Sequence, residues 1–224
     1  MRLGVVLLTY NRRAYAHATL RAVLDHIQPG RLELQVHIAS DGDTSEYIDS
    51  LRHLAGGYAS LVAVTRSNSE RGGYGKNYNV AMQTVHASCD YVLPLEDDWV
   101  LQRDLPVEPL VEQMDVLGVG CCRLGYIGFT QELRASFVTA RDHVWLTLDP
   151  ESPEPHVFAG HPRIETRSWS RKVEPWPEGL EPGATEFAVA HRAAARRGVG
   201  WPLWYLDPGG RDAAFVHIGA ERSY

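Results

Sequence analysis

Residues 91–99 read Tyr-Val-Leu-Pro-Leu-Glu-Asp-Asp-Trp. The apolar run Tyr91–Leu95 leads straight into the carboxylates Glu96, Asp97 and Asp98. A short continuous apolar run is the pattern of a strand buried on both faces of a parallel sheet. Adjacent carboxylates repel one another, and they cost stability unless a cation or hydrogen-bond donors neutralise them. Their oxygens suit hard cations such as Mg2+ and Mn2+, which commonly leave positions for phosphate oxygens. A solvated acidic turn is the plainer alternative, but the strand in front favours a cation-binding strand end.

Upstream, the same punctuation repeats. Leu3–Leu8 is an apolar run ending in Thr9-Tyr10-Asn11-Arg12, and Leu34–Ala39 ends in Ser40-Asp41-Gly42-Asp43. Leu61–Thr65 is a third run. Between them lie helical patterns: Leu20, Val23, Leu24 and Ile27, stopped by Pro29-Gly30; Ile48, Leu51, Leu54 and Ala55, with Thr44 or Ser45 as N-cap and Gly56-Gly57 as stop. A third helix is expected over Gly75–His86, with Tyr78, Ala81, Met82 and Val85 inward. Repeated strand–helix units predict an α/β fold: a Rossmann-like, mostly parallel sheet flanked by helices. Ligands of such sheets bind beyond the carboxyl ends of the strands, where each of these polar motifs falls.

The second half is less regular. Pro106–Leu117 reads as a helix, and Val119–Phe129 and Ser136–Leu148 as strands of a candidate hairpin. Pro150–Pro182 reads as a long functional loop, Ala184–Arg197 as a helix ended by Gly198, and Ala213–Ile218 as a last strand. No linker interrupts residues 1–224, so one domain is expected, with a ligand-binding half over 1–100 and an acceptor-side half over 101–224.

Composition narrows the functions. A formal charge of −6 argues against a protein whose whole surface grips nucleic acid. The cysteines Cys89, Cys121 and Cys122 form neither a disulfide framework nor a zinc spacing, and the N-terminus lacks a signal-peptide pattern. A reducing cytoplasm, of a bacterium or a virus-infected bacterial cell, is the expected compartment. Arg71-Gly72-Gly73-Tyr74-Gly75-Lys76-Asn77 opens the third helix. Glycines there let the backbone approach an anion at a helix N-terminus, and Arg71 and Lys76 add charge. It is neither a Walker A nor a dinucleotide fingerprint.

Taken together, LGVVLLTYNR, IASDGDTSEY, GGYGKNYNVAM and YVLPLEDDW resemble, in order and spacing, the motifs of family-2 glycosyltransferases of the GT-A fold. The resemblance covers residues 1 to about 100. It implies a nucleotide-sugar donor, with a UDP-sugar favoured, and a divalent metal, Mn2+ or Mg2+. Thr9, Tyr10, Asn11, Arg12, Gly73, Lys76 and Asn77 are then donor-side candidates. Asp41 would contact uracil or another base, Asp98 would bind the metal, and Glu96 or Asp97 would lie near the donor sugar or ribose. Ser40 stands where the family often has a first Asp. Inverting members use a carboxylate as general base, and Glu186 matches its place near the start of a late helix, ahead of Glu181 and Glu178. His217 is suggested as a second metal ligand, with Arg222 and Ser223 near the diphosphate.

For the acceptor, Arg167, Trp169, Arg171 and Trp176 offer aromatic faces and guanidinium groups that suit a saccharide or small molecule. A hydroxymethylated DNA base, which would have to be flipped out, is the alternative. Two other functions remain open: nucleotidyl transfer, which lacks here the long Gly- and Arg-rich loop after the first strand, and a non-catalytic nucleotide-sugar-binding module.

Overall fold

The computed structural model describes residues 1–66, 71–124, 134–141, 143–149, 151–152, 160–194, 198–203 and 214–219. The first half alternates as the sequence predicts: β1 (Arg2–Thr9), α1 (Arg13–His26), β2 (Ile27–Gln28), β3 (Glu33–Ser40), α2 (Ser45–Ala55), β4 (Leu61–Arg66), α3 (Tyr74–Val85) and β5 (Tyr91–Glu96). There follow β6 (Trp99–Leu101), β7 (Leu105–Pro106), α4 (Val107–Leu117), β8 (Cys121–Arg123), β9 (Ala135–Ala140) and β10 (His143–Leu148). The chain then forms β11 (Arg163–Thr166), α5 (Arg167–Val173), α6 (Pro182–Ala194), β12 (Val199–Pro202) and β13 (Phe215–His217). Thr44 caps α2, its side chain accepting the Tyr47 N–H. Gly118, in the left-handed conformation, ends α4.

Among the described residues the main sheet has nine strands in the order β4-β3-β1-β5-β11-β8-β12-β10-β9. All but β11 and β10 run in one direction. The central strands are covered on both faces, which is why they read as apolar throughout. Along β1, Leu3, Val5 and Leu7 join one core with α1, α2 and α4. Val6 and Leu8 join the other, with α3, Trp169, Trp176 and Val189. The antiparallel pair β6–β13 sets His217 opposite Trp99 and brings the C-terminal strand to the acid cluster.

The segment read as a loop over 150–182 is partly regular. β11 lies between β5 and β8, although it carries Arg163 and Glu165, which are 1% and 0% exposed. Arg163 Nε donates to Glu165 Oε1 at 2.5 Å, and its NH2 group donates to the Tyr78 hydroxyl at 3.2 Å. Paired in this way, the charges satisfy each other, so a strand that looks polar can be interior.

Trp176 is 1% exposed and stacks on Tyr78 at 3.9 Å between ring centroids. Trp176→Ala is expected to cost about 3–5 kcal/mol through the cavity it leaves, measurable by urea denaturation.

Candidate active site

The parallel register brings the strand ends level: Thr9 pairs with Ser40, and Leu8 with Glu96. Beyond them opens a cleft of about 720 Å3, whose wall includes Asp41, Arg71, Asn77, Asp98 and His217. The glycine-rich segment, the Asp-Gly turn and the acid cluster therefore share one cavity.

Asp41 is 3% exposed and shapes the loop that faces it. Its carboxylate accepts the Gly72 N–H at 2.6 Å and the Gly73 N–H at 2.9 Å. Asn77 donates from Nδ2 to the Ala39 carbonyl at 2.9 Å, while its Oδ1 is buried with no hydrogen-bond partner among the described residues. Tyr10 lines the cleft, with the Arg71 guanidinium 5.0 Å from its ring centroid. Asn11, at φ 52°, gives its N–H to Asp43 at 2.6 Å and faces an adjoining recess of about 390 Å3 rather than the main cleft. Lys76 is half-buried and is not on the cleft wall. Gly75 serves α3 packing: a Cβ there would come within 1.9 Å of the Pro177 carbonyl oxygen.

The carboxylates have separate surroundings. Asp97 accepts from Thr9 Oγ1 at 2.9 Å and from Arg12 at 3.1 Å. Burial nevertheless pushes its carboxyl up to about 7, with Arg12 and Thr9 opposing. Asp98 accepts from Arg12 at 2.6 Å and lies 3.2 Å from His217 Nε2. Asp98 Oδ1 is buried without a hydrogen-bond partner among the described residues. An orphaned carboxylate oxygen beside an imidazole fits a hard cation that takes few protein ligands and completes its shell with phosphate and water. No cluster of three or more His, Cys, Asp or Glu side chains suited to a metal occurs among the described residues.

Glu96 and Glu186 meet at Gly160. Glu186 accepts the Gly160 N–H. A Cβ on Gly160 would lie 2.0 Å from Glu96 Oε1, 2.5 Å from Glu186 Oε1 and 2.9 Å from the Tyr74 hydroxyl. Burial raises both carboxyls above their usual range; Glu186 and then Asp98 raise Glu96 further, while the Gly160 N–H and Arg163 pull Glu186 back. Glu181 stands on the cleft wall with Pro182, Gly183 and Ala184 at the start of α6. Glu178 is exposed and accepts from Asn79 at 2.9 Å. Gly160→Ala is expected to lower activity by about 10- to 10²-fold through displacement of these groups and to cost about 1–3 kcal/mol of stability through overpacking; steady-state kinetics below the melting transition, beside a thermal melt, checks both. Gly160 and Tyr74 carried no separate signal in the sequence, since their role appears only when β11 and α6 fold back onto α3.

The acceptor residues expected from the sequence need correction. Trp169 and Trp176 are 3% and 1% exposed, so their rings pack in the core and offer no face to a sugar. β11 runs antiparallel to β5 and delivers α5 to the start of β5, opposite the cleft. There Arg167 pairs with Asp90 at 2.9 Å, and Arg171 lies exposed on the same short helix. Arg222 and Ser223 lie outside the described residues.

Comparison with known proteins agrees with this architecture. TarS 1–349 of S. aureus, in a structure with UDP-GlcNAc, is 16% identical with a TM-score of 0.72, over 100% of this chain and 60% of that one. The mannosyltransferase PcManGT of Pyrobaculum calidifontis, in complex with GDP-Man and Mn2+, is 14% identical with a TM-score of 0.56, over 91% and 57%. GalNAc-T7 with UDP, GalNAc and Mn2+ is 15% identical with a TM-score of 0.60, over 90% and 42%. The chain thus spans about 60% of the TarS chain it resembles. No curated protein sequence matches it. The shared fold is GT-A, as the sequence motifs implied. Residues 4–161 match the family model as well, and the chain belongs to glycosyl transferase family 2.

Proposed function

We propose that the protein moves a sugar from a nucleoside-diphosphate donor, with a UDP-sugar favoured, to an acceptor hydroxyl with inversion at the anomeric carbon. The observation that carries this reading is the single cleft in which Asp41, the glycine-rich segment, Asp98 and the start of α6 face one another. Tyr10, Asp41 and Asn77 hold the nucleotide end. Asp98 and His217 would hold a Mn2+ or Mg2+ ion, which stabilises a departing diphosphate. Glu186, fixed by the Gly160 N–H, takes the proton from the acceptor hydroxyl as that oxygen attacks. Residues 1–224 act as one domain in this scheme.

The acceptor is a saccharide or small molecule. Both this acceptor and the DNA alternative lose the surface they leaned on, because Trp169 and Trp176 are interior and Arg167 is paired at the far end of the sheet; the net charge of −6 is what favours the small acceptor. No helix among the described residues is long and apolar enough to cross a membrane. A cytoplasmic location remains part of the proposal.

A thermal-shift screen of UDP-, GDP- and TDP-sugars with and without Mn2+ tests the donor side. Stabilisation by a diphosphate sugar in Mn2+ is expected; stabilisation by nucleoside triphosphates alone would point instead to nucleotidyl transfer. Mass spectrometry of mixed acceptors, hydroxymethylated DNA included, reads the product.

A further inference from the structure

The acid cluster already has a cation. Arg12 closes the turn between β1 and α1, and its Nη1 donates both to Asp97 Oδ1 at 3.1 Å and to Asp98 Oδ2 at 2.6 Å. The Arg12 side chain is 14% exposed, and those of Asp97 and Asp98 are 6% and 7%. Tyr15 supports the guanidinium at 4.5 Å from its ring centroid. The imidazole of His217 reaches the same Asp98 oxygen at 3.2 Å. Two groups therefore compete for Oδ2, while Oδ1 of Asp98 and Nη2 of Arg12 are both buried without hydrogen-bond partners among the described residues. The backbone presses them together: a Cβ on Gly219 would come 2.2 Å from Asp98 Oδ2 and 2.7 Å from Arg12 Nη2.

A divalent ion approaching Oδ1 of Asp98 alone meets a fixed positive charge held on the other oxygen of the same carboxylate, and in a partly buried site that repulsion is weakly screened. A diphosphate changes the balance. It brings negative oxygens that a guanidinium can bind through two parallel hydrogen bonds, and Nη2 is an unused donor. We propose that Arg12 is the counter-ion of Asp97 and Asp98 in the unliganded protein, and that donor binding transfers its guanidinium from Asp98 to the diphosphate, freeing Asp98 for the metal. This rests on the reading of Asp98 and His217 as metal ligands. Arg12 is then a positioning residue that makes metal and donor bind together, and the coupling is reciprocal.

The test is direct Mn2+ binding, followed by the electron paramagnetic resonance of free Mn2+, with and without UDP. Wild type is compared with Arg12→Met, Arg12→Lys and Asp98→Ala. Without UDP, Arg12→Met is expected to bind Mn2+ at least about tenfold more tightly than wild type, with Arg12→Lys between them and Asp98→Ala binding least. UDP should tighten Mn2+ binding more in wild type than in Arg12→Met. A thermal melt adds a second readout: Arg12→Met should melt lower than wild type in EDTA and recover with Mn2+, which a purely structural arginine would not do. Equal nucleotide-free affinities in wild type and Arg12→Met, with UDP-dependent binding intact, overturn the exchange and leave the Asp98–His217 site standing. Absence of Mn2+ binding from both, with and without UDP, overturns the metal reading and the exchange together. Should Arg12→Met fail to fold, Arg12→Lys decides, and no gain in its nucleotide-free affinity overturns the proposal.

Discussion

Glu186→Gln is expected to lower kcat by about 10²- to 10⁴-fold while leaving donor affinity intact. The amide keeps the volume of the carboxylate, and its oxygen still accepts the Gly160 N–H, so the packing behind the cleft-lining residues Glu96 and Tyr74 is preserved. What it loses is the capacity to take a proton. The pH dependence should make the same point. Burial raises the Glu186 carboxyl above its ordinary value of 4.5. The base works only when ionised, so the wild-type rate should fall as pH drops through that raised value, with the acid limb lying above that of an exposed Glu. The limb should vanish from the residual activity of Glu186→Gln. Calorimetric titration with donor and single-turnover rates across pH check both halves. Near-normal turnover would move the base to Glu181, which stands on the cleft wall, or to Glu178.

Asp98→Ala should remove metal-dependent donor binding and lower kcat/KM by at least about 10³-fold, or about 4 kcal/mol of transition-state stabilisation. Asp98 is where the cleft's polar groups converge, since it holds Arg12 on one oxygen, meets His217 at 3.2 Å and leaves its other oxygen unpaired. Truncation would leave Arg12 paired with Asp97 alone. The melting temperature should shift by no more than a few degrees, because functional carboxylates crowded together contribute little to folding. Titration of a UDP-sugar with and without Mn2+ measures the effect. Unchanged affinity in Mn2+ would refute the assignment of Asp98.

The first half was legible because its elements follow local rules. β1, β3, β4 and β5 are apolar runs between turn residues, and α1 and α2 place apolar residues on one face. The strand-end motifs were legible for the same reason, since their positions follow once the strands are parallel. The later elements depend on distant partners. β11 was read as loop because Arg163 and Glu165 look solvated until they are seen to pair with each other beneath Tyr78. Trp169 and Trp176 were read as platforms for an acceptor, yet they fill the space between α3, α5 and the sheet. Arg12 was grouped with the donor residues; its attachment to Asp97 and Asp98 crosses more than eighty positions of chain, and no local pattern announces it.

The place of β11 has a consequence for how this chain is made. β5 is covered on one side by β1 and on the other by a strand that lies some seventy residues later, so until β11 arrives one flank of β5 is open. On a ribosome delivering about 5–20 residues per second, that flank stays bare for several seconds. A nascent fragment ending near residue 120 would carry an apolar strand with unanswered backbone groups, the kind of surface that recruits other chains. Such truncations should therefore form inclusion bodies rather than a small nucleotide-binding protein.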